Sequence, residues 1–302
     1  TSLGEIKMNI GFIGFGEVGY EMSKGFLKEG IRNIYVYDYM YTSDIIQTRV
    51  KETGVILCRT YAELLEHELD ILFVAVPAHQ SKNVWKEIHR LLNKVTIYVD
   101  VTTASAKEKK EVFDNLLASD KQFIDAAMMG PLTLHRQEVP ILASGKGVEL
   151  FQQKMSRYKM NITIINDRPG DATNIKFIRS IFMKGISALL LEVLEVAGDL
   201  GLEDIVLQSI SKTMDELPFE DIINRLVTGS VKHSARRVVE MENVIQFLEE
   251  NHKDSTMAVA TRDKLKWLTD LDLLEQFHHE VPKQWKEVFK ELSKGAVKNE
   301  SV

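Results

Sequence analysis

The stretch Asn9-Ile10-Gly11-Phe12-Ile13-Gly14-Phe15-Gly16-Glu17-Val18-Gly19 decides the fold. A short apolar run ends on G-x-G-x-x-G, and the residues that follow, Glu17 to Glu29, space their apolar side chains as a helix does. In that position the glycines have separate tasks. Gly14 permits a tight turn, Gly16 lets backbone approach a pyrophosphate, and Gly19 lets the helix pack closely on the strand. Phe15, Glu17 and Val18 supply the backbone between them, and the free N–H groups of the helix N-terminus face the anion. A second apolar run, Asn33 to Tyr37, ends on Asp38, 19 positions beyond Gly19, where a carboxylate can accept hydrogen bonds from both hydroxyls of an adenosine ribose. That carboxylate repels a 2′-phosphate, and no Arg follows it in Tyr39-Met40-Tyr41, so NAD is expected and NADP less so. A flavin or mononucleotide site, or a glycine turn with no ligand, would not need strand, helix and acid together.

Outward from this unit the rhythm continues. Asp70 to Val76, Thr96 to Val101, Phe123 to Ala126, Pro140 to Ala143 and Ile162 to Ile165 read as buried strands, with helices over Thr60–Glu68, Gln80–Asn93 and Ala106–Ser119. Runs of Val, Ile and Phe with little alternation fit a parallel sheet covered on both faces. Val76-Pro77 and Thr102-Thr103 end two of these strands, where an open α/β sheet binds its ligand; they either touch the cofactor or simply end a strand before a helix cap. After Asp167-Arg168-Pro169-Gly170 the strands stop and the spacing turns helical, broken by Pro218, Gly229 and Pro282. The expected architecture is a Rossmann-type, doubly wound α/β domain over residues 8–168 followed by an all-helical domain over 169–302.

The first long helix of the second part places Ile175, Ile178, Phe182, Leu189 and Val193 on one apolar face, suited to a core or a dimer interface. Lys176 shares another face with Arg179, Ser180, Met183, Lys184 and Ser187. Such a stripe is either a solvated basic face or a set of cations whose mutual repulsion and partial burial lower an amine's pKa into the range of a general base or acid.

Composition bounds the rest. With 38 Lys+Arg against 44 Asp+Glu the chain carries a net −6, which argues against broad attraction to nucleic acid or an anionic membrane. No apolar run approaches the ~20 residues that span a bilayer. The lone cysteine, Cys58, offers neither a disulfide nor a zinc site and reads as a small apolar residue, so a reducing, cytoplasmic setting is expected. Thr1 to Lys7 reads as a polar lead apart from the fold, and Lys283 to Val302 as a solvated helix with a frayed tail.

These motifs resemble the β-hydroxyacid dehydrogenase family, which includes 3-hydroxyisobutyrate and 6-phosphogluconate dehydrogenases. Asp125-Ala126-Ala127-Met128-Met129-Gly130-Pro131 is similar to the family's substrate-binding D-A-P-V-S-G-G segment, and Gly170-Asp171-Ala172-Thr173-Asn174-Ile175-Lys176 to the segment carrying its catalytic lysine. The resemblance implies that Lys176 exchanges a proton with the substrate hydroxyl as hydride moves to or from the nicotinamide, and that the helical domain forms a homodimer. Met129, Pro131 and Ser180 depart from the family's Ser, Gly and Asn, and Arg179 stands where the 6-phosphogluconate enzymes have His. His233-Ser234-Ala235-Arg236-Arg237 with Glu240-Met241 is similar to a less characterised branch.

A small anionic 3-hydroxy acid, or the matching aldehyde or keto acid, is therefore the expected substrate. Arg179 and Lys184 are candidate anchors for its acid group, with Ser180 beside them, while Met128, Met129 and Gly130 form an apolar wall with close backbone approach. A reductase of another carbonyl or an imine, and a non-catalytic NAD sensor, are the alternatives. No metal is expected, since adjacent His278-His279 cannot ligate as an i, i+4 pair would. His135 and His233 could assist a substrate acid or be plain surface residues. Arg236 and Arg237 either serve substrate or partner or pair with Glu240 and Glu242. Trp85, Trp267 and Trp285 suit packing.

Overall fold

The computed structural model describes residues 7–299. The lead at 1–6 and the end of the tail at 300–302 lie outside the described residues.

Strands β1 (Asn9–Ile13), β2 (Asn33–Tyr37), β3 (Ile56–Cys58), β4 (Ile71–Val74), β5 (Ile97–Asp100), β6 (Gln122–Met128), β7 (Pro140–Lys146) and β8 (Asn161–Asn166) form one sheet in the order β3-β2-β1-β4-β5-β6-β7-β8. The connection out of β1 runs one way across the sheet and that out of β3 the other, so the order reverses between β1 and β4. Helices α1 (Glu17–Lys28), α2 (Asp44–Thr53), α3 (Tyr61–Glu66), α4 (Ala78–Ile88), α5 (Ala106–Glu111), α6 (Leu132–His135) and α7 (Val148–Ser156) alternate with the strands. This is the doubly wound sheet the repeating pattern predicts.

Strand residues alternate between two cores because successive Cβ atoms point to opposite faces. Ile71 and Phe73 join a cluster with Phe12, Phe26 and Phe151, while Leu72 and Val74 join one with Trp85, Tyr98 and Phe123. Each fully buried Phe contributes about 1.5–3 kcal/mol. Cys58 lies in the second cluster, where burial pushes its thiol up to about 11, so it stays protonated and behaves as a small apolar group.

Two features differ from the pattern reading. β3 is a strand of three residues, Ile56 to Cys58, too short for a periodicity to register. β7 runs antiparallel to β6, where a parallel sheet was expected throughout. The 129–139 connection between them is shorter than the dozen or more residues that a parallel crossover needs.

The chain divides into two compact units after Ile181, within helix α8 (Asp171–Asp199). The first turns of α8, with Lys176, Arg179 and Ser180, belong to the N-terminal unit; Lys184 belongs to the C-terminal one. The C-terminal unit adds α9 (Glu203–Met214), α10 (Phe219–Glu250), α11 (Thr256–Asp270), α12 (Leu273–Gln276) and α13 (Trp285–Asn299). Within it Ile245 and Leu248 of α10 pack on Ala258 of α11, and Val231 packs on Leu273 and Val288. Glu192 of α8 caps α11 by accepting the N–H groups of Met257 and Ala258 at 2.7 and 2.9 Å. The apolar face expected on α8 is largely uncovered in the single chain: Ile178 is 64% exposed, Phe182 47% and Leu189 42%.

Candidate active site

The glycine turn is built as its residue types require. Gly14 has φ +93°, and a Cβ there would lie 2.3 Å from the Ala75 carbonyl oxygen. A Cβ on Gly19 would lie 2.5 Å from the Gly14 oxygen, so α1 can reach β1 only with glycine here. At Gly16 a Cβ would meet nothing within 4 Å. The space above Gly16 is therefore not needed by the protein's own atoms, and Gly16 as N-cap puts no side chain on the first-turn N–H groups of α1. Open backbone donors beside an open cradle fit a pyrophosphate. Gly16→Ala is accordingly expected to leave the thermal midpoint unchanged and to weaken binding of NADH in a fluorescence titration; unchanged binding would show that the cradle is not used.

From this turn a cavity of about 510 Å³ opens toward β2 and α2, lined by Gly14, Gly16, Asp38, Tyr39, Met40, Ile45, Arg49, Val76, Pro77 and Glu87 among others. Asp38 stands at its floor with both oxygens oriented by backbone: Oδ2 accepts the Phe15 N–H and Oδ1 the Met40 N–H, each at 2.8 Å. A carboxylate oxygen has lone pairs to spare, so it can still accept from a ribose hydroxyl. Tyr37 and Tyr61 also line the cavity; burial and then Glu87 push Tyr61 up to about 12, and Tyr37 is raised for the same first reason. Both remain neutral hydroxyl donors at physiological pH.

The sheet register ties this end of the site to α8. Ile13 pairs with Val74, Val74 with Asp100, Asp100 with Asp125 and Asp125 with Ser144, so these five residues form one rung across the sheet. Gly14 leaves the rung at β1. At β6, three strand spacings or roughly 14 Å away, Asp125 Oδ2 accepts the N–H groups of Gly170 and Thr173 at 3.1 and 2.9 Å, and Ser144 accepts that of Ala172 at 3.0 Å. These are the orphan donors of the first turn of α8. Lys176 follows one turn later, half-buried.

Three comparisons with known proteins bear on this site. Residues 9–152 match the NAD binding domain of 6-phosphogluconate dehydrogenase, and residues 197–268 match a domain family of unknown function, DUF1932. The N-terminal part is an NAD-binding domain of the 6-phosphogluconate dehydrogenase type. An uncharacterized 28.5 kDa protein from Methanothermus fervidus is 28% identical over 263 residues, 87% of this chain and 100% of that one. A solved protein of unknown function, described as structurally similar to 3-hydroxyacid dehydrogenases, is 29% identical with a TM-score of 0.61, over 87% of this chain and 98% of that one. The V8 variant of an imine reductase from Myxococcus stipitatus, in complex with NAD+, shares the fold, with a TM-score of 0.73 at 18% identity over 88% of this chain and 94% of its own. The resemblance to the β-hydroxyacid dehydrogenases holds, carried by the NAD-binding domain over residues 9–152.

The site residues named from sequence fall into groups. Gly14, Gly16, Asp38, Val76 and Pro77 line the one cavity. Glu17, Val18 and Gly19 form the first turn of α1, and the Phe15 ring is core, leaving its backbone for the turn. Thr102 is buried with its hydroxyl donated to Asp100 Oδ1 at 2.6 Å, so it closes β5 and does not line the cavity. Met128 packs on the core; Met129 donates its N–H to the Pro140 carbonyl at 2.7 Å, and a Cβ on Gly130 would touch Pro140 at 3.3 Å. Arg179 is exposed and Ser180 half-buried. His233, in the C-terminal unit, is held below its usual range by desolvation and by Arg236 and Lys232.

Two groups escaped the sequence reading. Arg49 reaches the cavity from α2, donating Nη1 to the Phe15 carbonyl at 3.0 Å with its guanidinium 5.1 Å from the Tyr20 ring centre. An arginine was sought only beside Asp38, yet the helix after β2 also borders the ribose end. Lys109, with 1% of its side chain exposed, was hidden in the Lys- and Glu-rich run 107–111.

Proposed function

We propose that this chain is an NAD-dependent dehydrogenase or reductase of a small anionic 3-hydroxy acid, or of the matching aldehyde or keto acid, with Lys176 as the general acid and base. The observation that carries the reading is the shared rung: the first turn of α8, one turn before Lys176, is hydrogen-bonded to the same row of residues from which the glycine turn departs. Residues 8–168 serve as the cofactor domain and the helices from 169 onward take the substrate and pair with a second copy. Bound nicotinamide supplies the hydride chemistry. The glycine turn and the α1 N-terminus hold the pyrophosphate, and Asp38 accepts from the ribose hydroxyls. Lys176 takes the proton from the substrate oxygen in oxidation and returns it in reduction. Arg179, three residues on along the same stripe, offers its planar fork to the substrate carboxylate, with Ser180 and Lys184 beside it along the helix and the Met128-Met129-Gly130 segment as wall.

NAD is favoured because Asp38 and Glu87 place two carboxylates in the cavity against one guanidinium, Arg49, and like charge disfavours a 2′-phosphate. The dimer reading rests on the uncovered apolar side of α8, where Ile178 and Phe182 are 64% and 47% exposed. A sedimentation mass of one chain would remove it.

The deciding experiment follows NADH and NADPH absorbance with wild type and Lys176→Ala over short 3-hydroxy acids, sugar acids, their carbonyl partners and cyclic imines. Turnover of a hydroxy acid with NAD, absent in the variant, is the expected result. Turnover of imines alone would move the substrate class, faster reaction with NADP would reverse the cofactor choice, and silence with NADH still bound would favour a sensing role.

A further inference from the structure

A lysine with almost no exposed surface needs a reason to be charged there, because burying an ammonium costs several kcal/mol unless it is paired. Lys109 Nζ lies 2.8 Å from Asp125 Oδ1 and 3.5 Å from Asp100 Oδ1, and both carboxylates are fully buried. Asp100 is already satisfied from its own side: Ser81 and Trp85 donate to Oδ2 at 3.1 and 2.8 Å, and the Thr102 N–H and hydroxyl to Oδ1 at 2.9 and 2.6 Å. Asp125 turns its remaining capacity elsewhere. Besides the Gly170 and Thr173 N–H groups on Oδ2, its Oδ1 accepts the Thr173 hydroxyl at 2.7 Å.

Two carboxylates against one ammonium leave a net negative charge, and it faces the positive end of the α8 dipole. Gly170, at φ +101° and with a Cβ position 2.9 Å from the Ala106 oxygen, lets the chain enter the helix pressed against α5. The start of α8 is thus fixed in height and in rotation about its axis. Lys176 lies three residues past Thr173, on the same side of the next turn. A helix held by exposed caps could rotate by several degrees at little cost, and a long side chain would magnify the error at its tip.

We infer that Lys109, Asp125 and Thr173 are positioning residues, which set the rotation of α8 and so the point its Lys176 amine reaches. The inference rests on the reading of Lys176 as proton donor and acceptor.

The test compares Asp125→Asn, Thr173→Val and Thr173→Ser, each alone and in a Lys176→Ala background, on the panel substrate that the wild type turns over fastest. Asn can present its oxygen to Lys109 and the Thr173 hydroxyl or to the Gly170 and Thr173 N–H groups, but not to both pairs, and Val keeps the shape of Thr without the donor. In Asp125→Asn kcat should fall by roughly 10²-fold, the scale of an ångström's misplacement, with KM for the cofactor unchanged. Thr173→Val should lose in the same direction, and Thr173→Ser should restore the wild-type value. In the Lys176→Ala background none of them should lower the residual rate. Wild-type kcat in Asp125→Asn and Thr173→Val, or an equal loss with and without Lys176, overturns the positioning role; wild-type kcat in Lys176→Ala overturns the reading beneath it instead. A second readout needs no substrate. In protein labelled with ε-¹³C lysine, the Lys176 resonance, assigned by its loss in Lys176→Arg, should shift its position and titration midpoint in Thr173→Val and return in Thr173→Ser. An unmoved resonance refutes the inference.

Discussion

Lys176→Ala is expected to lower turnover by roughly 10²–10⁴-fold, the usual contribution of a positioned acid or base, while the dissociation constant for NADH stays within the error of calorimetry. Removing the amine leaves the substrate oxygen to trade its proton with water at the moment hydride moves. Cofactor binding should survive, because Gly14, Gly16 and Asp38, proposed to hold it, line a cavity that Lys176 does not line. Lys176→Arg separates two roles that alanine confounds. A guanidinium keeps the charge and could still anchor a carboxylate, but it does not give up its proton near neutral pH. If Lys176 is the acid and base, arginine should be nearly as inactive as alanine; if it is only an anchor, arginine should retain most of the rate. Loss of NADH binding in either variant would place the amine at the cofactor.

How much of this was legible beforehand depends on whether a residue acts through its type or through its neighbours. Gly14, Gly16 and Gly19 were readable because each needs the absence of a side chain, and the clashes a Cβ would make at Gly14 and Gly19 bear out that requirement. The sheet was readable because its strands are buried on both faces, which gives long runs of Val, Ile and Phe. β3 was too short to show a period, and the reversal of β7 lay in the length of a connection, not in its composition. Arg49 and Lys109 were missed for a common reason. Both are cations on helices rich in polar residues, and only the packing of α2 beside the glycine turn and of α5 beneath the ends of β5 and β6 distinguishes them from solvated neighbours. Asp125 was visible as part of a substrate-segment motif, whereas in the structure its carboxylate points to Lys109 and the start of α8.

Lys109→Met should destabilise the N-terminal unit by about 3–5 kcal/mol, the range for breaking a buried ion pair from one side. Met keeps most of the side-chain volume, so the loss reports the charge and not a cavity. The contrast is Arg236→Ala: its pair with Glu240 is exposed on both sides, and such pairs contribute about 0–1 kcal/mol. Trp85 provides the local probe, since its indole donates to Asp100 at 2.8 Å and it lies in the N-terminal unit. With Trp267 and Trp285 changed to Phe, its fluorescence follows urea unfolding of that unit alone. Lys109→Met leaves Asp100 and Asp125 charged and facing each other across the vacated ammonium position. Adding Asp125→Asn removes one of those charges, while Asp100 keeps the hydrogen bonds from Ser81, Trp85 and Thr102. The double variant should therefore be more stable than the sum of the two single losses implies, with a coupling of about 1–3 kcal/mol. A Lys109→Met loss below about 1 kcal/mol, the level of a surface pair, would mean that the two carboxylates do not depend on the ammonium, and strict additivity would mean that Lys109 and Asp125 act on the fold separately.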